Sequence, residues 1–101
     1  GTIPSKKAYE DEELLVFHDI HPWAPVHVLV IPKLHIATLY EAGPQHQALL
    51  GRMLVLAPKL MRELGVVNGF RTLINTGDDG RQEVQHLHMH VMGGPRPWLR
   101  G

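Results

Sequence analysis

The chain of 101 residues contains no cysteine. That excludes a disulfide framework, a redox thiol pair and any thiolate metal site, and it fits a reducing compartment such as the cytoplasm. It also lacks an excess of either charge: ten Lys+Arg balance ten Asp+Glu, so no broad attraction to nucleic acid or an anionic membrane is expected. No apolar run approaches the roughly 20 residues that a membrane-spanning helix needs. Gly1-Thr2-Ile3-Pro4-Ser5-Lys6-Lys7 lacks the apolar core of a secretory signal. A hydrophobic content of 44% is ordinary for one buried core, so a single domain over residues 1–101 is expected. What the chain has in quantity is histidine, eight residues, the side chain that both gives and takes protons near neutral pH.

The pattern predicts strands over Lys7 to Glu10 and Leu14 to Phe17 around the acidic turn Glu10-Asp11-Glu12-Glu13. His18 to Pro25 carries Pro22 and Pro25 and reads as a stiff loop. Val26 to Ile31 is a β-branched, apolar strand closed by Pro32, followed by a short helix near Thr38 to Glu41. Pro44 to Leu64 is the long helix, with a broad apolar stripe, Gly65 as its C-cap and a kink expected at Pro58. A strand over Phe70 to Asn75, a polar turn over Thr76 to Gly80 and a strand over Val84 to Met92 follow, and Gly93-Gly94-Pro95-Arg96-Pro97 ends the sheet. About five strands joined by hairpin-type connections, with one long and one short helix, give an α+β fold with an antiparallel sheet.

In the last strand His86, His88 and His90 alternate with Leu87, Met89 and Val91. A period of two puts the imidazoles on one face, about 7 Å apart, and the apolar residues on the other. Such a row is compatible with hydrogen-bonded structural histidines, with a metal site or with a reaction centre. A catalytic zinc needs only three protein ligands, but among Gln82, Glu83, Val84 and Gln85 leading into the row only Glu83 offers a carboxylate that could orient ligating imidazoles. In the reaction-centre case His88, centred in the row, is the nucleophile at phosphorus. His86 and His90 then bind the phosphoryl oxygens and manage protons, with Asn75 and Gln82 as neutral donors.

His86-Leu87-His88-Met89-His90-Val91-Met92 resembles the motif that names the histidine triad (HIT) superfamily. Phe17-His18-Asp19-Ile20, Ile31-Pro32-Lys33-Leu34-His35-Ile36, Asn75 and Gly93-Gly94 stand in the order and approximate spacing of its HINT branch. The resemblance covers nearly the whole chain. It implies a homodimer joined edge to edge through the long helices and a central strand, a purine-nucleotide site on each subunit, and nucleoside phosphoramidase activity that requires no metal or other cofactor. It further implies His88 as nucleophile, His86 and His35 orienting and polarising the site, and His90 on the phosphate or leaving group. Asn75 and Gln82 would lie at the phosphate, Asp19 would take the ribose hydroxyls, and Phe17, His18 and Ile20 would wall the base. Glu83 stands where some relatives carry a serine near the phosphate, and Gln85 replaces an aromatic residue. In that branch the tail from Gly93 onward can reach the partner's site. Other activities of the superfamily, dinucleoside polyphosphate hydrolysis and nucleotidyl transfer, and a nucleotide-binding adaptor with little turnover, are the alternatives.

Overall fold

The computed structural model describes residues 6–99. The N-terminal stretch expected to carry no secretory signal lies outside that range, apart from Lys6 and Lys7. Five strands, β1 (Lys7–Glu10), β2 (Leu14–His18), β3 (Val26–Pro32), β4 (Phe70–Leu73) and β5 (Met89–Gly93), form one sheet in the order β1-β2-β3-β5-β4. Every pairing is antiparallel. Between β3 and β4 lie two single 3-10 turns, Leu39–Glu41 and Pro44–His46, and the helix α1 (Gln47–Glu63). The long helix therefore begins three residues later than its sequence pattern suggests, because Pro44 to His46 make a tighter turn first, with the His46 N–H bonded to the Gly43 carbonyl. Pro58 sits inside α1, which remains α-helical on both sides of it.

The helix ends as Gly65 predicts. Gly65 takes φ +85°, its N–H bonds the Arg62 carbonyl and the Val66 N–H reaches back to the Met61 carbonyl, the paired bonds of a Schellman cap. Val66 is thereby turned into the core. One sheet face, with Leu14, Val16, Val28, Val30, Met89 and Val91, packs on Leu49, Met53, Leu56, Ala57, Leu60 and Met61 of α1, all buried. The hairpin turn is clamped to the helix by Arg52, whose guanidinium reaches Asp11 at 2.7 Å and Glu13 at 2.6 Å.

The opposite face is set by register. Phe17 pairs Leu29, Leu29 pairs His90 and His90 pairs Leu73, so a row runs across β2, β3, β5 and β4 with the imidazole of His90 in it. His27 pairs Met92 on the same face, one step along. The last strand is shorter than its period-two pattern: its ladder starts at Met89, not Val84. Pro32, which would continue the pairing of β3, has no N–H to give. The Leu87 N–H bonds the Ile36 carbonyl instead, at 2.7 Å. β4 likewise stops at Leu73 rather than Asn75.

Candidate active site

The row of imidazoles survives the loss of ladder pairing because the apolar residues between them stay inside. Leu87 is 1% exposed, and Met89 and Val91 are fully buried. His88 and His90 consequently lie side by side with ring centroids 5.3 Å apart. His90 is held by β5, whereas His86 and His88 are held by side-chain bonds to backbone.

Those bonds assign the protons. A carbonyl can only accept, so in the neutral rings His88 donates from Nδ1 to the His86 carbonyl at 2.8 Å, which leaves Nε2 with its lone pair. His86 donates from Nε2 to the Pro32 carbonyl at 2.7 Å, so its Nδ1 accepts from His35 Nδ1 at 3.2 Å. A backbone N–H can only donate, and that of Trp23 meets His27 Nδ1 at 3.1 Å. His27 therefore carries its proton on Nε2 and gives it to His90 Nδ1 at 2.8 Å. His90 in turn keeps its proton on Nε2. The pair of neighbouring rings thus offers one lone pair, on His88, and one N–H donor, on His90.

His27 was not singled out from the sequence. It is 2% exposed, and its one signal was an imidazole at an inward-alternating position of an otherwise apolar strand, where a buried polar group needs a partner. The Trp23 ring stacks on His90, with centroids 5.8 Å apart and planes 12° apart, and helps exclude water from it. Burial, with the neighbouring His27 and His88 second, pushes the His90 pKa down to about 4, against a partial upward pull from Asp19. Burial also lowers that of His27, again opposed by Asp19. Both rings resist protonation in the folded protein, while the unfolded chain binds those protons below about pH 6.5. The stability they contribute is therefore complete above that pH and is lost as pH falls toward 4. Thermal melts from about pH 7 to about pH 5.5, above the main carboxylate range, should show a steadily falling Tm. A Tm flat across that interval would contradict the buried neutral pair.

Phe17 lies in the His90 row, His18 pairs Val28 at the end of β2, and Asp19 and Ile20 follow in the loop beyond it. Asp19 Oδ1 accepts the His21 N–H at 2.8 Å, and Oδ2 lies 3.6 Å from His27 Nε2. Phe17 is nearly buried and His18 half-buried, while Ile20, 52% exposed, lines an open apolar cavity of about 580 Å³ with His21, Pro22, Trp23 and Leu99. Asn75 is half-buried, two residues beyond the end of β4. Glu83 is exposed. Gln82 differs from its expected use as a phosphate donor. It is buried, its Oε1 takes the Gly77 N–H, and its two amide hydrogens go to the carbonyls of Ala37 and Val84 at 2.7 and 2.9 Å. Its donors are committed to the backbone, and it shapes the loop instead. The tail folds back onto the sheet and the Trp23 loop as far as Leu99: Trp98 Nε1–H bonds the Gly94 carbonyl at 3.0 Å under the Arg71 guanidinium, and the Leu99 N–H bonds the Trp23 carbonyl.

Asp19, His27 and His90 are the one group among the described residues whose ligand atoms gather as a metal site would, within 4.8 Å of one another. The fit is poor. Two nitrogens sharing a tetrahedral zinc at about 2.0–2.1 Å each stand about 3.3 Å apart, whereas His27 Nε2 and His90 Nδ1 are 2.8 Å apart with a proton between them.

Residues 1–96 match the HIT domain family. The chain is 52% identical to protein HitA of Neisseria gonorrhoeae over 93 residues, 92% of this chain and 87% of that protein. Its fold superposes on a HIT family hydrolase from Legionella pneumophila Philadelphia 1 with a TM-score of 0.88 and 41% identity, covering 93% and 85% of the two chains. A zinc-bound histidine triad family protein from Mycobacterium smegmatis is similar at 0.78 and 33%, covering 93% and 68%.

Proposed function

Because this chain belongs to the HIT domain family, we propose that it is a hydrolase that cleaves the P–N bond of purine nucleoside 5′-phosphoramidates through a nucleotidyl-histidine intermediate. The observation that carries this is the bond from His88 Nδ1 to the His86 carbonyl, which leaves a nucleophilic nitrogen beside the N–H of His90. His88 Nε2 attacks phosphorus, the new P–N bond forms as the bond to the amine breaks, and the amine departs with a proton from solvent. The carbonyl of His86 stabilises the positive charge that develops on the His88 ring. His90 Nε2–H and Asn75 hold the phosphoryl oxygens, and His35 and His86 fix the near wall. Water then adds to phosphorus, His88 leaves, and the nucleoside monophosphate is released.

Asp19 takes the ribose hydroxyls, and Phe17, His18 and Ile20 wall the base. No metal enters this sequence of steps, since imidazole itself is the nucleophile. A cytoplasmic homodimer completes the proposal: β4 is an edge strand, and Leu54, Val55, Val67 and Phe70 beside it or on α1 are exposed apolar residues that a second copy would cover. The direct test is intact-protein mass spectrometry on rapid quenching after mixing with an adenosine phosphoramidate. One nucleotidyl adduct, mapped to His88, is expected. Turnover without an adduct, or an adduct on another residue, would overturn the assignment, and faster cleavage of a dinucleoside polyphosphate would move the substrate class.

A further inference from the structure

The loop between Asn75 and the triad is locked in an unusual shape. Its ends are tied by the Gln82 N–H to the Gly77 carbonyl and by the Gly77 N–H to the Gln82 side chain, each at 3.0 Å. A Cβ on Gly80 would lie 2.2 Å from the Thr76 carbonyl oxygen, so the chain passes there without room for a side chain. Gly77 takes φ +70°, which glycine adopts freely. Arg81 takes φ +62° and is the one non-glycine residue with positive φ among those described. For an unbranched L-residue this conformation costs about 1 kcal/mol relative to glycine.

The side chain gives nothing back to the fold. Arg81 is exposed, and among the described residues its only hydrogen bond is from its backbone N–H to the Asp78 carbonyl and it makes no ion pair, although Asp78 and Asp79 share its turn. It adjoins Gln82, which is anchored to Gly77 two residues from Asn75 and to Ala37 two residues from His35. The Arg81 backbone is thus held in the short loop that joins the Asn75 segment to the triad strand, next to the anchored Gln82. The geometry points to Arg81 as a phosphoryl-binding residue, which closes on the anionic oxygens of a bound nucleoside monophosphate group and stabilises the charge that builds there during transfer. A planar guanidinium suits two such oxygens at once. The cost in the backbone is then offset by what the side chain does with substrate.

The inference rests on the nucleotide reading of the site, and the test separates the two. Arg81→Gly should raise Tm, because it relieves the backbone, and yet weaken AMP binding about tenfold with adenosine binding unchanged, as measured by titration calorimetry. Arg81→Lys should recover part of the AMP affinity. Where the parent turns over a phosphoramidate, kcat/KM should fall by a similar factor in Arg81→Gly. Equal AMP affinity in Arg81→Gly and parent, or an equal loss for adenosine, overturns the role of Arg81. Failure of the parent to bind AMP at all overturns the nucleotide reading and this inference with it, whereas AMP binding without phosphoramidate turnover removes only the hydrolase reading.

Discussion

Replacing His88 by Ala is expected to lower kcat/KM toward an adenosine phosphoramidate by on the order of 10⁴-fold, about 5.5 kcal/mol of transition-state stabilisation. The group lost is the only ring nitrogen of the row that the hydrogen-bond pattern leaves as a free lone pair, so no neighbour can replace it: His90 presents an N–H, and both nitrogens of His86 are engaged. The fold loses little. His88 is half-buried and gives up one hydrogen bond to a backbone carbonyl, worth about 1 kcal/mol. Steady-state assays and denaturant titration on the same samples check both halves. A variant that folds and still cleaves at a tenth of the parent rate would remove His88 as nucleophile.

His27→Leu should cost about 10²-fold in kcat and about 2–4 kcal/mol in stability, without touching any group that meets substrate. The substitution takes the donor from His90 Nδ1 and an acceptor from the Trp23 N–H. The His90 ring, no longer bound to one tautomer, can then move its proton to Nδ1 and present a lone pair where the phosphoryl oxygen needs an N–H. His27→Gln, whose amide can both donate and accept, should recover a good part of both losses. If Leu and Gln variants were equally active at the parent level, the relay from Trp23 through His27 to His90 would have no part in the chemistry.

These two residues mark what the sequence discloses and what it does not. His88 is visible at once as a candidate, because three imidazoles at a spacing of two stand out from the apolar residues between them. So are β1 to β3, bounded by acidic and proline-rich punctuation, and α1 with its Gly65 cap. His27 is hidden because it lies 63 residues from His90 and in a strand that periodicity describes as simply apolar. Only the antiparallel register of β3 on β5 brings them together. Gln82 shows the converse: an amide among polar loop residues suggests a ligand contact, yet burial commits all its bonds to the backbone. Arg81 is ordinary in the sequence and becomes informative only through its φ angle.

The early end of the β3–β5 ladder at Pro32 gives the three imidazoles unequal mechanical footing. His90 is mounted in hydrogen-bonded sheet, while His86 and His88 sit on a stretch fastened by a few side-chain and turn bonds. In the proposed reaction the hydrogen-bonding end of the centre is thus built like a chassis and the attacking end like a sprung arm. If His88 is the nucleophile, a mounting of this kind lets it follow phosphorus from amine to ring and from ring to water without the sheet having to flex.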